Sequence, residues 1–94
     1  PSYREGLPRV LLEFGLMGVP SITTNVPGCR SIVKDNYNGF LCEPKSTKSL
    51  YDSIYNFINL PLTSRIKISY NANQYVIHNF DENIVINKYL SIIN

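Results

Sequence analysis

A helical pattern that runs directly into a β-branched segment constrains the fold of this chain more than any other feature. Apolar residues recur at helical spacing from Pro8 to Met17, and Gly18 is suited to end the helix. Gly15 inside this pattern lowers helix propensity by about 1 kcal/mol relative to alanine, so we expect it to serve close packing. Residues 19–24 are short and rich in β-branched side chains, which predicts a buried strand. A helix followed at once by a strand favours an α/β layered domain.

Downstream of this unit, the sequence indicates a second short strand bounded by turns. Residues 25–28 and 35–36 are rich in turn-forming residues, and residues 30–34 favour a short helical turn. Residues 40–42 predict the second strand. Two strands alone make a marginal sheet, so we expect the remaining strands upstream of Pro1, in a longer protein that contains these 94 residues.

Three further helices are predicted in the second half of the chain. The first is capped by Ser46 or Thr47, the second spans residues 63–77, and the third has Asp81 as its cap. Each carries an apolar face with helical spacing. The three predicted faces are Leu50, Ile54, Phe57 and Ile58; then Ile66, Tyr70, Asn73 and Ile77; and finally Val85, Tyr89 and Ile92. In the second of these helices, Ala72 is small enough for close packing.

The start of the first helix is suited to bind an anion. Pro8 fits the first helical position, where its missing N–H costs nothing, and Gly6 allows the entering chain to turn sharply. Neither Gly6 nor Leu7 offers a capping side chain, so the backbone N–H groups of Arg9 and Val10 have no obvious partner. Unpaired amides at a helix N-terminus attract phosphate groups. The residues alone therefore predict a phosphate-binding helix start at Pro8.

Composition excludes several classes of protein. The net charge is +2, charged residues make up 17%, and no basic run occurs, which argues against nucleic-acid binding. No apolar run approaches the roughly 20 residues of a membrane-spanning helix, and no signal peptide is visible. Cys29 and Cys42 lack metal-ligand and C-x-x-C spacing, so we expect free thiols, with a single bridge as the alternative. These observations predict a cytoplasmic domain.

Several short motifs occur in a fixed order within the first 42 residues. They are Ser2, Glu5-Gly6, Pro8 and Glu13, then Gly18-Val19-Pro20, Thr23-Thr24, Val26-Pro27-Gly28-Cys29-Arg30 and Asn38-Gly39-Phe40-Leu41. The set resembles the C-terminal part of retaining glycosyltransferases of family 4, whose GT-B fold has two Rossmann-like domains facing a cleft. The resemblance implies that residues 1–94 are the C-terminal part of the nucleotide-sugar-binding domain. It implies short parallel strands with flanking helices and a helical C-terminal end. Upstream strands and an N-terminal acceptor domain would lie outside this chain.

The resemblance also implies roles for individual residues. Glu5 would contact the sugar hydroxyls of the donor and act as the catalytic residue, and Glu13 would bind the ribose. The implied donor-binding set is Glu5, Gly6, Leu7, Arg9, Val10 and Glu13.

The implied reaction is the transfer of a hexose or N-acetylhexosamine from a nucleotide-diphosphate sugar, most often a UDP-sugar, with retention of configuration. The acceptor would be a glycan or a polyprenyl-linked saccharide in capsule or lipopolysaccharide synthesis, and no metal or cofactor is implied. We expect the full-length protein in the cytoplasm, with peripheral association at the inner face of the membrane. The isolated chain is expected to be inactive.

Two positions depart from the family pattern, and two other functions fit the same motifs. Phe14 stands where many relatives have alanine, and Ser31 stands where many have an acidic residue that could pair with Arg30. A nucleotide-sugar epimerase on the same fold and a binding module without turnover are the alternatives. Without the resemblance, Glu5 and Glu13 would be interpreted as solvated charges near a helix end.

Overall fold

Helices alternate with two short strands along the chain. The computed structural model describes the backbone of residues 3–80 and 90 and the side chains of residues 9–80 and 90. The helix predicted to start at Asp81, with Val85, Tyr89 and Ile92 on its face, lies outside the described residues. The elements in chain order are α1 (Tyr3–Leu16), β1 (Ser21–Thr24), α2 (Pro27–Arg30), β2 (Gly39–Cys42), α3 (Thr47–Ile58) and α4 (Leu62–Asn79).

The two strands form a small parallel sheet. Ser21 pairs with Gly39 at one end of the ladder, and Thr24 pairs with Cys42 at the other. The amide of Asn25 donates to the carbonyl of Cys42 at 2.8 Å, which extends the pairing beyond β1. Because the strands are parallel, their carboxyl ends lie at the same edge of the sheet. Both strands occur where the sequence predicted them, and the α/β class with short parallel strands flanked by helices is confirmed.

α2 joins the two strands and packs against α1. Leu11 of α1 forms a buried cluster with Cys29, Ile32 and Val33, each at most 4% exposed. Cys29 and Cys42 are free and buried, as expected. The predicted turn at residues 25–28 is wrong in part, because the chain becomes helical at Pro27 and not at Arg30. The fixed φ of proline is suited to the first position of a helix, which accounts for the earlier start.

The C-terminal half of α1 packs against α4 at Gly15. A Cβ atom at Gly15 would lie 2.5 Å from Cγ2 of Val76 and 3.2 Å from the carbonyl oxygen of Ala72. The prediction that Gly15 serves close packing is therefore confirmed. α1 ends at Leu16, and Gly18 just beyond it stops the helix. Its φ of +71° is the left-handed conformation that a helix stop needs.

The face of α4 that packs inward differs from the predicted one. Ile68, Ala72 and Val76 are buried, whereas Ile66 is 58% and Tyr70 63% exposed. Contact at Gly15 requires small or β-branched residues on the facing helix, and the buried face therefore includes Ala72 and Val76. The predicted face is wrong for Ile66, Tyr70 and Ile77, which are exposed, whereas Asn73 is partly buried. The predicted close packing of Ala72 is confirmed.

α3 begins at the predicted cap but buries little of its apolar face. The Ser46 hydroxyl accepts a hydrogen bond from the Ser49 amide at 3.0 Å, which confirms Ser46 as the cap. Phe57 makes an edge-to-face contact with Phe40 of β2, with ring centroids 5.8 Å apart. The other members of the predicted face are exposed, namely Leu50, Ile54 and Ile58.

Candidate functional site

The segment predicted to bind phosphate lies inside α1 and not at its start. α1 begins at Tyr3, five residues before Pro8. Backbone amides beyond the first turn of an α-helix donate to carbonyls four residues earlier, which leaves the amides of Arg9 and Val10 paired within the helix. The prediction that these two amides form a free helix start is therefore wrong. It relied on the local preference of proline for the first turn, which does not fix where a helix begins.

The helix places the candidate residues Glu5, Arg9 and Glu13 on one stripe. They are spaced four residues apart, so each is turned by about 40° and displaced by about 6 Å along the axis from the one before. Glu5 and Glu13 are thus separated by about 12 Å along α1, with Arg9 midway. The side chains of Glu5, Gly6 and Leu7 lie outside the described residues.

Arg9 and Glu13 lie on the side of α1 that faces away from its buried contacts. Leu11 and Gly15, which lie about 200° and 240° around the helix from Arg9, are buried against α2 and α4. Arg9 is exposed, Val10 is 38% exposed, and Glu13 is half-buried. A ligand can therefore reach Arg9 and Glu13 from solvent. The cavity between α1, β1 and α4 has room for no more than about one water molecule and cannot hold a sugar.

The sheet edge at which ligands bind in α/β folds lies beside the middle of α1. Val26 and Cys29 follow the carboxyl end of β1 directly, and both pack in the cluster that contains Leu11. In open α/β sheets, ligands bind outside the carboxyl ends of the strands. The residues that follow β1 therefore pack against the side of α1 that carries Leu11, about 200° around the helix from Arg9.

An exposed arginine occupies this same edge. Nη1 of Arg30 donates to the side-chain oxygen of Asn25 at 3.2 Å and to its carbonyl at 3.4 Å. Nζ of Lys34 donates to the carbonyl of Arg30 at 2.7 Å and lies 5.7 Å from the ring centre of Tyr75. Sequence reasoning named Arg30 but did not identify Asn25 as the residue that orients it. A contact between neighbouring loops of this kind leaves no periodic signal in the sequence.

Other candidate groups in the described residues do not form a site. No cluster of three His, Cys, Asp or Glu side chains capable of holding a metal occurs among residues 9–80 and 90. Asp52 accepts a hydrogen bond from Lys48 at 2.7 Å and raises the pKa of that lysine, but this exposed pair lies on α3. Among the helices described, none is long and apolar enough to cross a membrane.

Comparison with known proteins identifies the family. The chain is 29% identical over 92 residues to the N,N'-diacetylbacillosaminyl-diphospho-undecaprenol alpha-1,3-N-acetylgalactosaminyltransferase of Campylobacter jejuni, covering 98% of this chain and 24% of that protein. It is 33% identical over 85 residues to the capsular polysaccharide biosynthesis glycosyltransferase CapM of Staphylococcus aureus, covering 90% of this chain and 22% of that one.

A third relative is the Escherichia coli UDP-Gal:alpha-D-GlcNAc-diphosphoundecaprenol alpha-1,3-galactosyltransferase. It is 35% identical over 54 residues, which is 57% of this chain and 14% of the relative. The chain thus spans no more than a quarter of the length of these three relatives. The sequence profile of the family described as Glycosyl transferases group 1 matches residues 1–75. The chain therefore belongs to the group 1 glycosyl transferases, as its motifs predicted.

Proposed function

We propose that this chain is the donor-binding part of a retaining glycosyltransferase. The full-length enzyme would transfer a hexose or N-acetylhexosamine from a UDP-sugar to a glycan or a lipid-linked saccharide. The observation that carries the proposal is the four-residue spacing of Glu5, Arg9 and Glu13 along one helix, α1, within a chain whose family membership is established by the match over residues 1–75.

The order of groups on the stripe matches the order of groups in the donor. A nucleotide-diphosphate sugar is elongated, with the diphosphate between the sugar and the ribose. Carboxylates accept hydrogen bonds from vicinal hydroxyls, which suits Glu5 to the sugar and Glu13 to the ribose. The guanidinium of Arg9, midway between them, would bind the diphosphate. Arg9 would thus contribute its side chain in place of the helix-start amides that the sequence predicted, with Gly6, Leu7 and Val10 lining the same segment.

The proposed chemistry requires charge stabilisation at the leaving group. As the bond between the sugar and the diphosphate breaks, the electron pair goes to the phosphate oxygen, which gains negative charge. A fixed cation at that oxygen stabilises the transition state. Glu5 would hold the sugar ring while its anomeric carbon becomes electron-deficient. This proposal needs neither a metal ion nor a cofactor.

The nature of donor and acceptor is proposed from the relatives. The name of the E. coli relative specifies UDP-Gal as donor, and the names of the E. coli and C. jejuni relatives specify acceptors linked to undecaprenol through a diphosphate. For the full-length protein that contains this chain, we propose a UDP-sugar as the donor and a polyprenyl-linked saccharide as the acceptor. Residues 1–94 would be the C-terminal part of the donor domain, and an N-terminal domain of the full-length protein would bind the acceptor at the cytoplasmic face of the membrane.

Calorimetric titration of the full-length polypeptide with UDP and UDP-sugars tests the proposal. Glu13→Ala should weaken UDP binding by about 1.5–3 kcal/mol, the scale of a hydrogen bond to a charged group. Asp52→Ala serves as the control, because Asp52 is an exposed carboxylate on α3 and lies outside both α1 and the carboxyl edge of the sheet. Unchanged affinity in Glu13→Ala would refute the ribose assignment.

Product analysis separates the alternatives. Transfer of labelled sugar to a polyprenyl-diphosphate saccharide supports the transferase. Formation of an epimerised sugar, free or still attached to UDP, without a glycosylated acceptor identifies an epimerase. A protein that binds UDP-sugar but shows no turnover with any acceptor is a binding module.

A further inference from the structure

The C-terminal end of α1 has its last four carbonyls paired, and one of them is paired by a side chain from a distant helix. The amide of Met17 donates to Glu13, that of Gly18 to Gly15 at 2.9 Å, and that of Val19 to Phe14 at 2.8 Å. The last two bonds form a Schellman motif, with Gly18 as the left-handed residue. These three bonds come from residues that directly follow the helix, and none of them is made to the carbonyl of Leu16.

The carbonyl of Leu16 accepts a hydrogen bond from Asn73 of α4. Nδ2 of Asn73 lies 2.8 Å from this oxygen, and the two residues are 57 positions apart in the chain. Asn73 is partly buried, which protects the bond from competition with water. The bond therefore ties the end of α1 to a fixed point on α4.

Packing and this hydrogen bond restrict different movements of α1. Close contact of Gly15 with Ala72 and Val76 fixes the distance between the two helices. Apolar packing is non-directional, so it opposes sliding and rotation less strongly than separation. The hydrogen bond depends on distance and angle and opposes both movements.

We propose that Asn73 is a positioning residue for Glu13, an inference that rests on the proposed function. Glu13 lies three residues before Leu16, about 4.5 Å along the same helix, so a shift of the helix end moves its carboxylate directly. Displacement of a binding group by about 1 Å can cost up to about a hundredfold in rate. Asn73 thus sets the donor affinity without touching the donor.

Asparagine-to-aspartate variants in the full-length polypeptide test this role. Asn73→Asp keeps the side-chain size but replaces the donating amide with an acceptor that repels the Leu16 carbonyl. We expect it to weaken UDP binding about tenfold, the upper range for one lost hydrogen bond, and to raise the KM for UDP-sugar without changing the KM for the acceptor.

Asn71→Asp is the matched control. Asn71 lies two residues away on α4, and its Nδ2 donates to the carbonyl of Tyr37 at 2.9 Å, in the segment between α2 and β2 and not at the end of α1. Asn71→Asp should reduce thermal stability and leave UDP affinity unchanged. An equal loss of UDP affinity in both variants would show that Asn73 acts through general stability, which overturns the inference.

A double-variant cycle separates the inference from the proposed function. If Asn73 acts through Glu13, Asn73→Asp has little further effect on UDP affinity in a Glu13→Ala background. The same tenfold loss in both backgrounds overturns the positioning role and leaves the ribose assignment standing. A Glu13→Ala variant that binds UDP normally overturns the proposed function itself.

Discussion

Replacing Gly15 with alanine tests the packing of α1 against α4. Helix propensity alone would stabilise the variant by about 1 kcal/mol, since glycine is disfavoured inside helices. The structure opposes this gain, because the new Cβ would lie 2.5 Å from Cγ2 of Val76, whereas carbon atoms prefer a separation of about 3.5–4.0 Å.

The surroundings of Gly15 cannot yield easily. Val76 is 2% exposed and has one strongly preferred χ1 rotamer in a helix, so its methyl group cannot swing aside. The second close atom, 3.2 Å from the new Cβ, is the backbone oxygen of Ala72. Overpacking of a tight core costs about 1–3 kcal/mol. With the upper end of that range, Gly15→Ala should be destabilised by about 2 kcal/mol after the propensity gain is subtracted.

Urea denaturation followed by circular dichroism measures this difference. Val76→Ala in the Gly15→Ala background should cost less than Val76→Ala alone, because it removes the clashing methyl group. A Gly15→Ala protein that is about 1 kcal/mol more stable than wild type, as propensity alone predicts, would refute the reasoning.

Two further variants probe the end and the middle of α1. Gly18→Ala should lower stability by about 1 kcal/mol, because alanine disfavours the left-handed φ of +71°. A steric clash does not contribute, since no atom lies closer than 3.6 Å to the new Cβ. A stability equal to wild type in urea denaturation would contradict this reasoning. Arg9→Ala should weaken binding of UDP about tenfold and leave binding of uridine nearly unchanged, since uridine lacks the diphosphate. Raising the salt concentration should reduce the difference in UDP affinity between the variant and the wild type, because salt screens an exposed charge. Equal losses for the two ligands in calorimetric titration would exclude Arg9 as the diphosphate ligand.

The interior of the site segment illustrates what local patterns can predict. The sequence predicts packing for Gly15 and a helix stop at Gly18, and it narrows the cap of α3 to Ser46 or Thr47. These roles depend on backbone geometry within one or two helical turns, and residue type alone is enough to predict that geometry. The ordered motifs were equally informative about family membership, because they carry the resemblance residue by residue.

The start of α1 and the buried face of α4 were not predictable in the same way. Proline favours the first helical turn, but the bounds of α1 place Pro8 well inside the helix. The sequence predicts close packing for Ala72, but its helical spacing also places Ile66 and Tyr70 on the apolar face, and these two are exposed. A window of sequence ranks residues by hydrophobicity, whereas the fold selects those that fit against the partner helix.

The sequence by itself determined the α/β class, the positions of both strands and the family, and it narrowed the cap of α3 to Ser46 or Thr47. Each of these follows from local spacing, local backbone preference or an ordered set of motifs. Only the tertiary structure decided that Pro8 lies inside α1 and that Asn73 holds the end of α1. Both depend on where α1 begins and on a hydrogen bond between residues 57 positions apart, and no local pattern specifies either.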